Sequence, residues 1–284
     1  MPVDEGPTLR RRRLGTELRR CREAAGMTQE QVSRRFEWHA AKVNRIETAR
    51  VSVTPRDVRD LLTVYGVQDD DYRESLLILA RTSRERAWWA EYRDVVRPGS
   101  FVALEAEAST MRNWEPVFIP GLLQTEDYMR ALFATRSKLL ADPQPNLDRA
   151  VSLRLTRQRR LDGDDPLELS AIIDESVVHR TIGGARVMAD QLRHLLAVSE
   201  LPTVSLRILP YAAGEHPFLG TSMAILEFRE APELDLVYVE GFGRHYLKLP
   251  AEVDQCRDAF DRLSLACLDR CETMTMIKEL ITAA

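Results

Sequence analysis

The strongest constraint on the fold is the spacing of apolar residues in the first 66 positions. Leu14, Leu18 and Cys21 recur at three- and four-residue steps among arginines, which is the pattern of an amphipathic helix with one buried face. Gly26 ends this helix, because glycine accepts the left-handed backbone conformation that follows many helices. The pattern predicts a bundle of short helices at the start of the chain.

Three more helices are predicted in the same stretch. Thr28 begins the second helix with a capping box that Gln31 completes. The third helix is predicted over residues 40–49, and a fourth runs from Pro55 until Gly66 closes it. Two short helices joined by a tight turn, of which the second exposes polar side chains, form a helix-turn-helix.

Charge is distributed unevenly along the chain. Residues 1–60 contain 14 Lys and Arg against 9 Asp and Glu, whereas all 284 residues together have a net charge of −4. A basic head on an acidic body indicates a polyanionic partner for the N-terminal part alone. No stretch approaches the ~18 apolar residues of a membrane-spanning helix, so no membrane partner is expected. Four Cys in a chain of this length favour a reducing cytoplasm over a disulfide scaffold.

The predicted third helix carries the side chains expected to contact bases. An α-helix fits the major groove of B-DNA, where Asn can form two hydrogen bonds to adenine and Arg can do the same to guanine. Alanines on the same face offer a methyl contact to thymine or a close approach, and the start of the second helix suits a phosphate. The predicted DNA-binding residues are Thr28, Gln29, Ala40, Ala41, Lys42, Asn44, Arg45, Arg50 and Ser52.

These residues resemble a known family. Met27-Thr28-Gln29-Glu30-Gln31-Val32, followed by Lys42-Val43-Asn44-Arg45-Ile46-Glu47, is similar to the XRE (lambda-repressor-like) helix-turn-helix family over about residues 10–66. The resemblance implies a structural ion pair between Arg22 and Glu47. Ala40 and Ala41 stand where many relatives carry long polar side chains, which shifts the weight of base reading to Lys42, Asn44 and Arg45.

The remaining sequence divides the chain into four parts. Residues 1–13 form a basic flexible arm, for which a minor-groove or phosphate contact and a solvated tail are both open. Residues 14–66 are predicted to form the helix-turn-helix domain, residues 67–99 a helical linker, and residues 100–284 an α/β regulatory or dimerisation domain. Within this last part, the apolar pattern predicts a helix over residues 101–114 and strands over residues 167–173, 203–209, 222–228 and 235–239. The fold class is therefore α plus mixed α/β, with an N-terminal all-α bundle before a larger α/β domain.

A second resemblance concerns the C-terminal part. Pro120-Gly121-Leu122-Leu123-Gln124-Thr125, followed by Ile173-Asp174-Glu175 and Tyr238-Val239-Glu240, resembles the uncharacterised C-terminal domain common in actinobacterial (Streptomyces-type) regulators with XRE-type heads. The resemblance covers about residues 90–280. It implies that this part senses an effector or recruits a small partner protein, and it implies no reaction.

Polar and aromatic residues around this block form a candidate effector pocket. Trp114, Phe118, Gln124 and Tyr128 combine apolar walls with polar groups, although the aromatic residues also fit a simple hydrophobic core. The sequence has no His-Glu-x-x-His, no Gly-x-Ser-x-Gly and no phosphate loop. We therefore expect no enzyme, no metal site and no cofactor.

Together these features predict a sequence-specific DNA-binding transcriptional regulator in the cytoplasm, at the nucleoid. Its partner is double-stranded DNA, with the third helix in the major groove. Because one small head contacts few base pairs, we expect a homodimer that binds paired half-sites. The C-terminal domain would supply dimerisation and sense a small-molecule effector or a small partner protein. The alternative is a protein–protein adaptor, such as an antitoxin-like or anti-regulator subunit, whose helical head recruits a partner.

Overall fold

The chain folds into two compact units, Met1–Glu107 and Ala108–Ala284. The sequence placed the boundary at residue 100, at the start of a helix predicted to continue to Trp114. The computed structural model describes residues 9–39, 41–83, 88–92, 94, 96, 101–140, 146–163, 165–218, 220–229, 232–240 and 244–283. Within these ranges, no helix has both the length and the apolar character needed to span a membrane.

The N-terminal unit is all-helical, as predicted. Its first helix ends because the amides of Gly26 and Met27 bond back to the carbonyls of Glu23 and Arg22, with Gly26 at φ +66°. Gly66, at φ +72°, ends the fourth helix in the same way. The helices are α1 (Leu9–Ala24), α2 (Gln29–Arg35), α3 (Ala41–Glu47), α4 (Pro55–Val64), α5 (Asp70–Thr82) and α6 (Phe101–Glu105), with a 3-10 turn at Trp88–Tyr92.

Helix α5 lies in the core of this unit, although the sequence assigned its residues to a linker. Asp69 caps it by accepting a bond from the amide of Tyr72 at 3.0 Å. The buried face of α5 packs into the same hydrophobic cluster as the first four helices. That cluster includes Leu14, Leu18, Val32, Val43, Ile46, Val58, Leu61, Leu62, Leu76, Leu77 and Ala80.

The basic segment Arg10–Arg13, which the sequence assigned to a flexible arm, lies in the first turns of α1. Arginine is a good helix former, so the apolar pattern that starts at Leu14 extends backwards without a break. Arg11 is buried and burial lowers the pKa of Arg12, so these side chains pack against protein at least in part. Residues 1–8 lie outside the described part of the chain.

A six-stranded mixed sheet organises the C-terminal unit, in the order β3-β2-β1-β4-β5-β6. The first three strands are parallel to one another, and β4, β5 and β6 are added antiparallel. The strands are β1 (Thr110–Glu115), β2 (Glu168–Asp174), β3 (Val204–Leu209), β4 (Ser222–Glu227), β5 (Leu236–Glu240) and β6 (Arg244–Leu247). The prediction of one helix over 101–114 is wrong after Glu105, where α6 ends, and from Thr110 onward the chain pairs with both β2 and β4 as a central strand.

Helices complete the α/β architecture of this unit. Against one face, α11 buries Val253, Phe260 and Leu263 on Trp114 and Ile172 of the sheet. Helices α10 and α12 pack on each other, and α12 also contacts β3. The helices are α7 (Glu126–Leu140), α8 (Leu147–Gln158), α9 (Glu175–His179), α10 (Ala185–Val198), α11 (Pro250–Ala266) and α12 (Arg270–Ala283).

Candidate nucleic-acid interface

The predicted capping box at the start of α2 is confirmed. The hydroxyl of Thr28 accepts a bond from the amide of Gln31 at 3.2 Å, and the Gln31 side chain accepts one from the amide of Thr28 at 2.8 Å. Both ends of the box are therefore satisfied inside the helix. Thr28 acts first as a cap, which fixes where α2 begins.

A buried network joins α1, α2 and α3. Arg22 donates from Nε to Glu47 Oε1 at 2.6 Å and from Nη2 to Glu47 Oε2 at 3.1 Å. A third donor, Gln29 Nε2, reaches Glu47 Oε2 at 2.7 Å. Arg22 also bonds the carbonyl of Met27 at 2.7 Å, and its bond to Glu47 raises the pKa of Arg22. The network holds the angle between α2 and α3 and leaves neither charge free for DNA.

The exposed edge of α3 is formed by Ala41, Asn44 and Arg45, and Thr48 continues it in the turn directly after the helix. These residues are exposed, whereas Val43, Ile46 and Glu47 on the opposite side are buried. Because each helical residue advances about 100° around the axis, positions 41, 44, 45 and 48 fall on one face. Thr48 was not among the predicted contacts, although its position four residues after Asn44 places it on this edge.

The side chains on this edge are oriented by short-range bonds. Asn44 Nδ2 donates to Gln29 Oε1 at 3.4 Å, so Gln29 connects the Asn44 amide to the Glu47 carboxylate. Arg45 Nε lies 3.4 Å from the carbonyl of Ala41, and Thr48 Oγ1 donates to the carbonyl of Asn44 at 2.8 Å. Gln29 therefore orients Asn44 from α2.

Lys42 occupies the flank of α3 and not its exposed edge. Its Nζ lies 3.5 Å from the centroid of the Trp38 ring, a cation–π geometry, and 3.7 Å from Asp57 Oδ2 on α4. The side chain is about one-third exposed. Lys42 thus contributes to packing between the turn and α4. Ala40, also predicted to contact DNA, lies outside the described residues.

The loop after α3 carries the last two predicted contacts. Ala49 adopts a left-handed conformation at φ +58°, and the amide of Arg50 bonds the carbonyl of Arg45 at 2.8 Å. This turn ends α3 and leaves Arg50 and Ser52 exposed beside it. Both side chains are accessible to a DNA backbone bound along α3.

In the C-terminal unit, three of the four candidate pocket residues are buried and bonded. Trp114 Nε1 donates to the carbonyl of Phe218 at 3.3 Å, and Tyr128 Oη accepts a bond from the amide of Ile119 at 3.3 Å. Gln124 is 3% exposed, whereas Phe118 is 43% exposed at the surface. The polar groups of Trp114, Gln124 and Tyr128 are thus engaged inside the protein, whereas Phe118 lies at the surface.

Gln124 belongs to a set of buried glutamines that fix the segment from Ile119 to Thr125. Its Nε2 donates to the carbonyl of Ile119 at 2.6 Å, and it also bonds Arg154. Gln191 is fully buried; it donates to the carbonyl of Leu123 at 2.7 Å and accepts from the amide of Thr125 at 2.7 Å. The conspicuous Pro-Gly-Leu-Leu-Gln-Thr block is thus held by side chains from α8 and α10.

Comparison with known proteins identifies both units. Residues 98–279 match the model of a family described as a domain of unknown function (DUF5753), and residues 13–76 match a model described as a helix-turn-helix domain. No curated protein and no solved structure matches the chain. Among the described residues, no group of three or more His, Cys, Asp or Glu side chains is placed to hold a metal ion.

Proposed function

Given that the chain belongs to the DUF5753 family, a domain of unknown function, and carries a helix-turn-helix domain at residues 13–76, we propose that α3 reads a specific DNA sequence in the major groove. The helix-turn-helix domain makes the protein a DNA-binding regulator. One observation carries the proposal: Asn44 and Arg45 stand on the exposed edge of a helix whose opposite side is fully buried. Their side chains are those that form bidentate bonds to adenine and guanine.

The surrounding residues support this docking. Ala41 and Thr48 extend the exposed edge with small side chains, so the helix can approach the bases closely. Arg50 and Ser52 in the following loop suit contacts to phosphates, which position the protein without reading sequence. We assign Lys42 a supporting role, because it is already engaged by Trp38 and Asp57.

The C-terminal unit is proposed to form the homodimer and to sense an effector or a small partner protein. A single helix in the groove contacts few base pairs, so a dimer on paired half-sites provides the remaining affinity. The proposal contains no catalytic step and no cofactor, and it places the protein at the nucleoid.

DNA binding is tested by selecting duplexes from a random library with the full chain and measuring affinity by fluorescence anisotropy. Arg45→Ala should cost about 1–3 kcal/mol on the selected duplex, or roughly 5- to 150-fold in Kd, and much less on a scrambled duplex. Arg81→Ala is the matched control, because Arg81 is exposed on α5 and paired with Glu74. Equal losses on both duplexes would remove Arg45 from the readers.

Salt dependence separates the regulator from the protein–protein adaptor. Each phosphate contact releases counterions, so the affinity for DNA should fall steeply as salt rises, and Arg50→Ala should reduce the slope of log K against log salt by about 1. Failure to enrich any duplex, together with a salt-independent residual binding, would support the adaptor and contradict the proposal.

A further inference from the structure

A polar groove lies on the sheet of the C-terminal unit, beside α11, and no role described so far uses it. It encloses about 310 Å³ over strands β1, β2 and β3. Phe260 of α11 lines it with an apolar side chain, whereas the strands contribute mostly hydroxyl groups and two guanidinium groups. A volume of this size accommodates a small molecule or the charged end of a larger one.

Strand register brings the polar side chains together. Arg112 on β1 pairs with Ser170 on β2, and Ser170 pairs with Ser205 on β3. Two residues further along both strands, Ile172 pairs with Arg207. Since alternate residues of a strand point to the same face, Ser205 and Arg207 both face the groove. Three neighbouring strands thus present one polar surface.

The hydroxyl groups in the groove are not used by the residues that the structure describes. Thr110, Ser170 and Ser205 from the strands and Ser264 from α11 all line it. Across the residues that the structure describes, none of these four hydroxyls forms a hydrogen bond. Free hydroxyls that converge on one space are donors and acceptors available to a ligand.

The two arginines differ in their charge balance. Arg112 is neutralised by Asp261, at 2.7 Å from Nη1, and by Glu227, at 3.4 Å from Nε. Arg207 donates only to the carbonyl of Ser264 at 3.1 Å, and no described carboxylate pairs with it. The charged residues that line the groove are Arg112, Arg207 and Asp261, so the lining itself carries one more positive than negative charge.

We propose that this groove binds the phosphate group of a small phosphorylated molecule, with Arg207 as the charged partner and the hydroxyls of Ser170, Ser205 and Ser264 as further donors. A tetrahedral oxyanion offers acceptors in several directions at once, which matches donors arriving from two strands and a helix. The proposal names the ligand class for the sensing role given above. A regulatory effect of this binding rests on the proposed function, whereas the binding itself is measured directly.

The charge of Arg207 also acts within the protein. Burial raises the pKa of the Cys267 thiol, and the neighbouring Arg207 offsets part of this rise, so that the pKa is about 11. A thiolate is thus disfavoured beside Arg207, which leaves the guanidinium without an internal anion.

Isothermal titration of the full chain with inorganic phosphate and with glycerol 3-phosphate tests the site. We expect one site per chain, weakened roughly tenfold or more by Arg207→Gln and measurably by Ser170→Ala. Arg193→Gln is the matched control, because Arg193 is exposed on α10 and paired with Asp190; it should bind like the unmodified chain. Binding of the ester but not of inorganic phosphate identifies a phosphorylated metabolite, and equal binding identifies the phosphate group alone.

Three results would overturn the proposal. These are no binding of either phosphate compound, unchanged binding by Arg207→Gln, or acetate binding as tight as phosphate. Circular dichroism and the melting temperature of each variant without ligand separate lost binding from lost folding. Anisotropy with the selected duplex is measured on the same variants in phosphate-free buffer. DNA binding without phosphate binding would refute this inference alone, whereas the absence of DNA binding by the unmodified chain would refute the proposed function.

Discussion

Glu47 is the residue whose removal we expect to damage the N-terminal unit most. Its side chain is 2% exposed and accepts three hydrogen bonds, two from Arg22 and one from Gln29. Glu47→Ala leaves the buried Arg22 guanidinium without its buried anion, and only the exposed Glu23 carboxylate remains, 3.4 Å from Nη2. Breaking a buried ion pair by removing one partner costs about 3–5 kcal/mol, more than the bonds contribute when both partners are present.

Hydrogen–deuterium exchange of the full chain measures this loss locally. Peptides covering α2 and α3 should exchange faster by roughly 150-fold to several thousand-fold, because each ~1.4 kcal/mol is a factor of ten. Glu30→Ala is the control, since the Glu30 side chain is 76% exposed and its Oε2 atom lies 3.7 Å from Nη2 of Arg34. Its cost should stay below about 1 kcal/mol.

A double variant distinguishes the loss of hydrogen bonds from the cost of an unpaired buried charge. Arg22→Met combined with Glu47→Leu removes both charges and fills the space, so most of the protection should return. If Glu47→Ala exchanged no faster than Glu30→Ala, the ion pair would not hold α3 in place. If the double variant exchanged as fast as the single one, lost bonds and not the buried charge would explain the damage.

Three further predictions concern stability. Glu37 is exposed at φ +54°, so Glu37→Gly should stabilise the N-terminal unit by about 1 kcal/mol in urea unfolding, whereas Glu37→Ala should not. Gln191→Ala leaves the buried carbonyl of Leu123 and the partly buried amide of Thr125 without partners and should cost about 2–4 kcal/mol, against little change for the exposed Gln255→Ala; equal melting temperatures would contradict this. Burial, with a smaller contribution from Glu240, raises the pKa of Glu115 to about 8. The folded state then binds more protons than the unfolded chain, so Glu115 reduces stability as pH rises from about 4.3 to 8. Glu115→Gln should therefore raise the melting temperature at pH 8 and leave it nearly unchanged at pH 4.

Local signals in the sequence were sufficient for the element types of much of the fold. The capping box of Thr28 and Gln31 and the glycines at 26 and 66 act within one turn, so they fix helix ends regardless of tertiary contacts. Strands β2, β3, β4 and β5 were also predicted from alternating or continuous apolar runs, because their pattern extends over five residues or more.

The central strand β1 could not be recognised in the same way. Thr110–Glu115 is paired on both sides, so its burial follows from β2 and β4 and not from a simple alternation in its own sequence. The sequence likewise assigned helix α5 to a linker, because its apolar face is buried only by packing against α1 and α4. Both errors arise where distant partners decide the environment of a segment.

The sequence by itself determined the helical N-terminal unit, the sites where its helices begin and end, and the helix that carries Asn44 and Arg45, because helix periodicity and capping are local properties. Only the tertiary structure decided that Lys42 contacts Trp38 and Asp57, and that Arg207 lines one groove with hydroxyls from three strands and α11. Those arrangements depend on contacts between residues far apart in the chain, whose register no single segment encodes.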